Sequence, residues 1–152
     1  MTKVTPRDIL IAPGCGKYKM TFTTATDDVK PGQIVTQTGC AQKTCDWPDE
    51  AGDTTMGVVG CLPGQDMDTA YAAGSTIPVY MRGSKAVVWV YFRSNGGALV
   101  AGSPVSHGGL AVDGAGILGI DTNKHLYDHL GYATHWHDQI AEISWVQVRL
   151  GK

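Results

Sequence analysis

Hydrophobic and polar residues alternate along much of this chain with a period of two, and no apolar stripe of period 3.6 extends beyond two turns. The clearest stretch is 72–92, AAGSTIPVYMRGSKAVVWVYF. It reads as two β-rich runs around Gly83-Ser84, a pair suited to a type II′ hairpin turn. Pairing across that loop sets Tyr80 opposite Val87 and Val79 opposite Val88. Ile77, Val79, Met81, Ala86, Val88, Val90 and Phe92 then share one apolar side, expected to face a core. Pro78, Tyr80, Arg82, Lys85, Val87, Trp89 and Tyr91 share the other, an amphipathic aromatic face expected at a solvent rim or beneath another subunit.

Other stretches show the same period. Lys19 to Ala25 alternates Met20, Phe22 and Thr24 against Thr21, Thr23 and Ala25. A turn at Pro31-Gly32 leads into a strand ending near Gly39, and Thr55 to Cys61 returns to strand. Gln139 to Leu150 places Ile140, Glu142, Ser144, Val146 and Val148 on one face, with Ala141, Ile143, Trp145, Gln147 and Arg149 on the other. This last strand is expected to close the sheet. Asp66 to Ala73 predicts a short helix with Asp66 as N-cap and Gly74 beyond its end.

Three segments lack a clean period. Residues 1–20 read as an extended arm with an apolar plug at Ile9, Leu10 and Ile11, set to order on a partner. Residues 40–54 are polar and read as a surface excursion anchored by Trp47; residues 121–138 are a second excursion, with a helical turn or two over Lys124 to Leu130. The predicted organisation is an arm (1–20) followed by one mainly β domain (21–152). That domain is a small antiparallel β-barrel or rolled β-sandwich with one or two short helices.

A short unit recurs: Pro31-Gly32-Gln33-Ile34-Val35, Ala73-Gly74-Ser75-Thr76-Ile77 and Ala101-Gly102-Ser103-Pro104-Val105. Each sets a small residue or proline before Gly, then a polar residue, then Ile or Val entering a strand. Two lead on to Gly-punctuated apolar runs, Met56-Gly-Val-Val-Gly60 and Ile117-Leu-Gly-Ile120. The pattern predicts a degenerate duplication of a small β unit.

Composition narrows the function classes. The 152 residues suit one domain, and 20 glycines with only 17% charged residues suit β structure rich in turns. A formal net charge of −2, without a basic stripe, offers nothing to nucleic acid. No apolar run approaches membrane-spanning length and no secretory leader is evident, so the expectation is a non-membrane protein made in a cytosol. Cys15, Cys40, Cys45 and Cys61 lie in the first 61 residues. They read as small thiols, with a Cys40–Cys45 disulfide as the alternative in an oxidising setting.

Four of the five histidines, His125, His129, His135 and His137, fall in the second excursion. The first two share a face in a helix and the last two in a strand, spacings that can bind a divalent metal beside Asp128 or Asp138. The segment lacks His-Glu-x-x-His, and ordinary surface histidines are the stronger expectation. No Gly-x-Ser-x-Gly occurs, Cys15 between glycines lacks an evident base, and the glycine-rich pieces match no phosphate loop. The acidic pairs sit where turns and caps expect them. No enzyme activity and no cofactor are expected.

With these units in view, the chain from about Val29 to Leu150 resembles the small decoration (head-stabilising, cement) proteins of tailed viruses. The resemblance rests on Lys30-Pro-Gly-Gln-Ile-Val35, Gly57-Val-Val-Gly60, Ala72-Ala-Gly-Ser-Thr-Ile-Pro-Val79, Val100-Ala-Gly-Ser-Pro-Val105, Ile117-Leu-Gly119 and Ala141-Glu-Ile…Val148-Arg-Leu150. It implies a homotrimer bound to the major capsid protein on the exterior of the virion. It also implies an N-terminal arm that touches neighbouring capsid subunits, which makes Ile9, Leu10 and Ile11 the candidate shell contacts. Tyr80, Trp89 and Tyr91 are the candidate subunit interface. Two rival readings come from other classes. One is a metal-binding β-barrel using His125 to His137. The other is a carrier domain of the biotinyl or lipoyl kind, whose lysine would be Lys85 beside the hairpin tip.

Overall fold

The structure, a computed structural model, describes residues 6–25, 29–39, 43–47, 56–92, 104–106, 119–120, 130–134 and 144–151. Its elements there are strands: β1 (Leu10–Ala12), β2 (Lys19–Thr24), β3 (Ile34–Gly39), β4 (Thr44–Asp46), β5 (Gly57–Val59), β6 (Thr76–Met81), β7 (Val87–Phe92), β8 (Pro104–Ser106), β9 (Gly119–Ile120), β10 (Gly131–Ala133) and β11 (Ser144–Arg149). The mainly β barrel class read from the alternation is the observed one. Five strands close a barrel in the order β2-β4-β3-β5-β6, and a six-stranded sheet runs β1-β7-β11-β10-β8-β9.

The expected hairpin does not form. β6 pairs with β2 and β5 inside the barrel, whereas β7 pairs with β1 and β11 in the other sheet. Residues 82–86 cross between the two sheets. Gly83 and Lys85 both have positive φ (78° and 65°), and the Lys85 N–H donates to the Leu150 carbonyl instead of folding back on Arg82. Both edges of β6 are already taken, and so are both of its faces. Ile77 and Val79 point into the barrel with Phe22, Val29, Val35, Cys45, Val59 and Tyr71. Tyr80 lies on the opposite face, in a second cluster with Ile34, Val58, Ala86, Val88, Val90, Val146 and Val148. The outer wall of the barrel is therefore also the floor of the second core.

Several other expectations are corrected. Asp66 to Ala73 forms turns, not a helix. Asp66 Oδ1 accepts the Asp68 N–H and its carbonyl accepts the Thr69 N–H, but the Tyr71 N–H leaves for Val29 O at 2.8 Å, so no helical ladder can propagate. The excursion at 40–54 contains barrel strand β4, because Cys45 inserts a fully buried side chain between polar neighbours. The excursion at 121–138 contains β10. The arm expected over 1–20 contains β1 and the start of β2. Instead of closing the sheet, β11 runs through its middle, between β7 and β10. Residues 40–42, 48–54, 121–129 and 135–138 of the excursions lie outside the described residues, and with them the helical turn expected before Leu130.

The duplication read from the sequence has a structural counterpart, with different boundaries. In the barrel, β2 pairs with β6, β6 with β5, β5 with β3 and β3 with β4, all antiparallel. In the second half β7 pairs with β11, β11 with β10, β10 with β8 and β8 with β9, again all antiparallel. Hydrogen bonds repeat with the strands. Gly60 N–H to Pro78 O recurs as Thr134 N–H to Gln147 O, Met81 to Tyr18 as Leu150 to Ala86, and Arg82 to Met56 as Gly151 to Leu130. Val35 faces Gly57, and Val105 faces Gly131. Ile34-Val35 and Pro104-Val105, the ends of two of the recurring units, are thus equivalent in register. Ala73-Gly-Ser-Thr-Ile77 leads β6 and is not their equivalent. The counterpart of Met56 to Gly60 is Leu130 to Thr134, whereas Gly119-Ile120 forms β9 beside β8; Ile117 and Leu118 lie outside the described residues.

Candidate contact surface

On β7, Val88 and Val90 are buried, and the alternating Val87, Trp89 and Tyr91 are half-buried on the other face. The register with β11 sets Tyr91 opposite Trp145, Trp89 opposite Gln147 and Val87 opposite Arg149. The face therefore grades from aromatic at one end to charged at the other. Tyr91 and Trp145 stack with ring centroids 4.2 Å apart and planes at 29°. Burial pushes the Tyr91 hydroxyl above its ordinary pKa, and the nearby Asp68 charge adds to this. Trp145 lies over Gly32, whose carbonyl accepts the Tyr91 N–H at 3.0 Å. The turn at Pro31-Gly32 of the first half thus covers the aromatic end of the second, leaving Trp89 half-exposed.

Tyr80 is not on this surface. It is 5% exposed and stacks in parallel on Tyr18 at 6.4 Å. Burial above all, with Asp8 next, pushes its hydroxyl up to about 12. Its reassignment follows from the lost hairpin, since β6 has a core on each side. Of the three aromatic interface candidates, Trp89 and Tyr91 lie on a shared face and Tyr80 does not.

The apolar plug is divided as well. Ile9 is fully buried within this chain's own core, Leu10 packs partly against it, and Ile11 is 41% exposed. Asp8 Oδ1 accepts the Ile9 N–H and fixes the entry to the strand. Ile9 is thereby committed internally, and Ile11 keeps the exposed apolar surface.

The thiols are separate. Cys15 is exposed, Cys45 buried and Cys61 half-buried, and all three are free, which removes the Cys40–Cys45 disulfide; Cys40 itself lies outside the described residues. Burial, reinforced by Asp46, pushes the Cys45 thiol to about 11, an inert protonated filler of the barrel. Cys61 Sγ donates to Gln65 O at 3.2 Å and is raised by burial, then by Asp8 and Asp66. Lys85 is exposed in the crossover and not at a hairpin tip, so the presentation a carrier lysine needs is missing there. His125, His129, His135 and His137 lie outside the described residues. Among the described residues, no group of three or more His, Cys, Asp or Glu is placed to hold a metal ion.

Two positioning residues escaped the sequence reading. Gln33 is 8% exposed, and its Oε1 accepts both the Lys30 N–H at 2.9 Å and the Trp47 indole N–H at 3.0 Å, tying the turn to the β4 end of the barrel. Trp47 anchors its segment as expected, through this bond. Tyr71 donates its hydroxyl to Gly60 O at 2.8 Å and accepts from Leu62 N–H at 3.0 Å. A polar residue just after Pro-Gly was the available signal for Gln33; no local signal marks Tyr71.

No protein-family model matches the chain, and no curated protein matches it.

Proposed function

We propose that this protein is a structural, non-catalytic component of a viral shell. It binds the major capsid protein on the outer surface of the capsid and stabilises it there as a trimer, after synthesis in the host cytoplasm. The observation that carries the reading is the equivalence of Ile34-Val35 with Pro104-Val105 in the two halves. Two of the motifs behind the resemblance to decoration proteins thus enter matched strands of one doubled β scaffold, which supports the reading. That scaffold buries Phe22, Tyr71 and Tyr80 in its cores, and it leaves Ile11 and Trp89 as apolar surface suited to burial against another protein. Purified protein incubated with undecorated phage shells is expected to sediment with them and to raise their resistance to heat. Protein that stays in the supernatant with every shell tested, and that remains monomeric at micromolar concentration, rules the reading out.

A further inference from the structure

The two halves differ at one edge. In the barrel, the outer side of β2 is taken by the parallel strand β4, with Thr23 N–H donating to Lys43 O at 2.9 Å. The counterpart of β2 is β7, and its outer side is filled from elsewhere. Tyr91 N–H donates to Gly32 O at 3.0 Å, Trp89 N–H donates to Ile9 O at 2.9 Å, and β1 pairs Leu10 with Val88 and Ala12 with Val87. β1 precedes the first repeat and has no counterpart before β7, where residues 82–86 make the crossover. It is an added piece that seals the edge the second half leaves open.

That seal is slight. β1 is three residues long, and among the described residues it pairs with β7 alone. One side chain, Ile9, is fully buried; its Cδ1 lies 3.5 Å from where a Cβ on Gly32 would stand. The chain immediately after β1 is clamped far more firmly. Cys15 N–H donates to Ser84 O at 2.7 Å, and a Cβ on Gly14 would fall 2.7 Å from the Ala86 nitrogen. Only Pro13 separates the weakly held strand from the clamp.

We propose that residues 6–12 form a detachable strap, and that the β7 edge it covers also accepts the same segment from a second copy of this chain, joining copies by strand exchange. The edge is shaped for this sequence: the seat beside Gly32 takes an isoleucine, and the Trp89 N–H meets the carbonyl of that residue. From Ile9 to Pro13 the segment carries no charge to oppose a second copy. A short connection beside a weakly held edge strand is the arrangement from which exchange between copies proceeds.

Hydrogen exchange on the full-length protein tests the strap. The Trp89 amide is expected to exchange at least about tenfold faster than that of Val90, which alternates towards β11. Equal protection of the two overturns the proposal. Exchange between copies is tested by mixing isotopically heavy and light full-length protein at high concentration and weighing the oligomers under native conditions. Mixed oligomers are expected, and an excess of a synthetic peptide of residues 6–13 should deplete them where a scrambled peptide does not. A monomer at every concentration, or oligomers indifferent to the peptide, overturns it. Because a trimer built from surface contacts would not respond to that peptide, this result is independent of shell binding.

Discussion

Trp145 lies on Gly32 so closely that a Cβ added there would stand 2.5 Å from the indole Cη2. Gly32 also has φ +88°, a conformation that disfavours any side chain. Gly32→Ala is expected to cost roughly 2–4 kcal/mol, from backbone strain plus displacement of a ring wedged between the two halves. Gly74 has φ +80° with nothing near its would-be Cβ, so Gly74→Ala should lose only about 1 kcal/mol. Urea unfolding of both variants checks this, and equal losses would show that the tryptophan contact contributes nothing.

Gly57 and Gly131 hold equivalent places in the two halves. A Cβ on Gly57 would stand 2.9 Å from Val79 Cγ1, and one on Gly131 would stand 3.0 Å from Val148 Cγ1. Both also crowd a backbone carbonyl, that of Tyr80 or of Arg149. Backbone of a paired strand cannot yield as a side-chain tip can. Each alanine substitution is therefore expected to destabilise by about 3 kcal/mol or more, with similar losses at the two sites. Thermal unfolding of the two variants is the check, and a tolerated substitution at either site breaks the equivalence.

Tyr71→Phe keeps the ring in the barrel but removes the hydroxyl that joins Gly60 O to Leu62 N–H. Leaving a buried backbone carbonyl without its donor should cost about 1–3 kcal/mol in denaturant unfolding. A change within error would mean that the loop re-forms these bonds without the tyrosine.

Alkaline pH should weaken the fold in two overlapping steps. Cys45 rises from an ordinary 9.0 to about 11, and Tyr80 from 10.0 to about 12, both because burial disfavours the charged form. Above the ordinary values the unfolded chain loses these protons first, so it gains stability relative to the native state. The stabilising contribution is whole below pH 9 and declines as pH rises towards the native values. Midway between the two values the slope should be roughly 1 kcal/mol per pH unit for each group, below the one-proton limit because the native and unfolded titrations overlap. Unfolding midpoints taken between about pH 8 and 10.5 measure it. Cys45→Ala should flatten the first part of the curve, and an unchanged slope would assign the loss to other groups.

Much of the fold was legible in the alternation. Phe22 and Thr24, Val88 and Val90, and Val146 and Val148 are buried as a period of two requires, and the turn at Pro31-Gly32 lies where its residues put it. The candidate surface was legible only in part. Trp89 and Tyr91 do share a face, but Tyr80 and Ile9 were assigned to surfaces and are core residues. β4 was hidden because one buried cysteine between polar neighbours makes no pattern.

The division has a physical origin. Side-chain alternation is a local property, so the chain alone determined where the longer strands β2, β3, β6, β7 and β11 run, that one face of each alternating run is apolar, and that a Gly-led unit recurs at Val35 and Val105. Backbone hydrogen bonds are the same for every residue except proline, so nothing local states which strand pairs with which. Tertiary packing decided that Val79 and Val88 belong to different sheets and that Tyr80 faces a second core. It also decided that β7 is sealed by a strand from the N-terminal end of the chain, because the total burial of both halves selects the partners and no single stretch of sequence does.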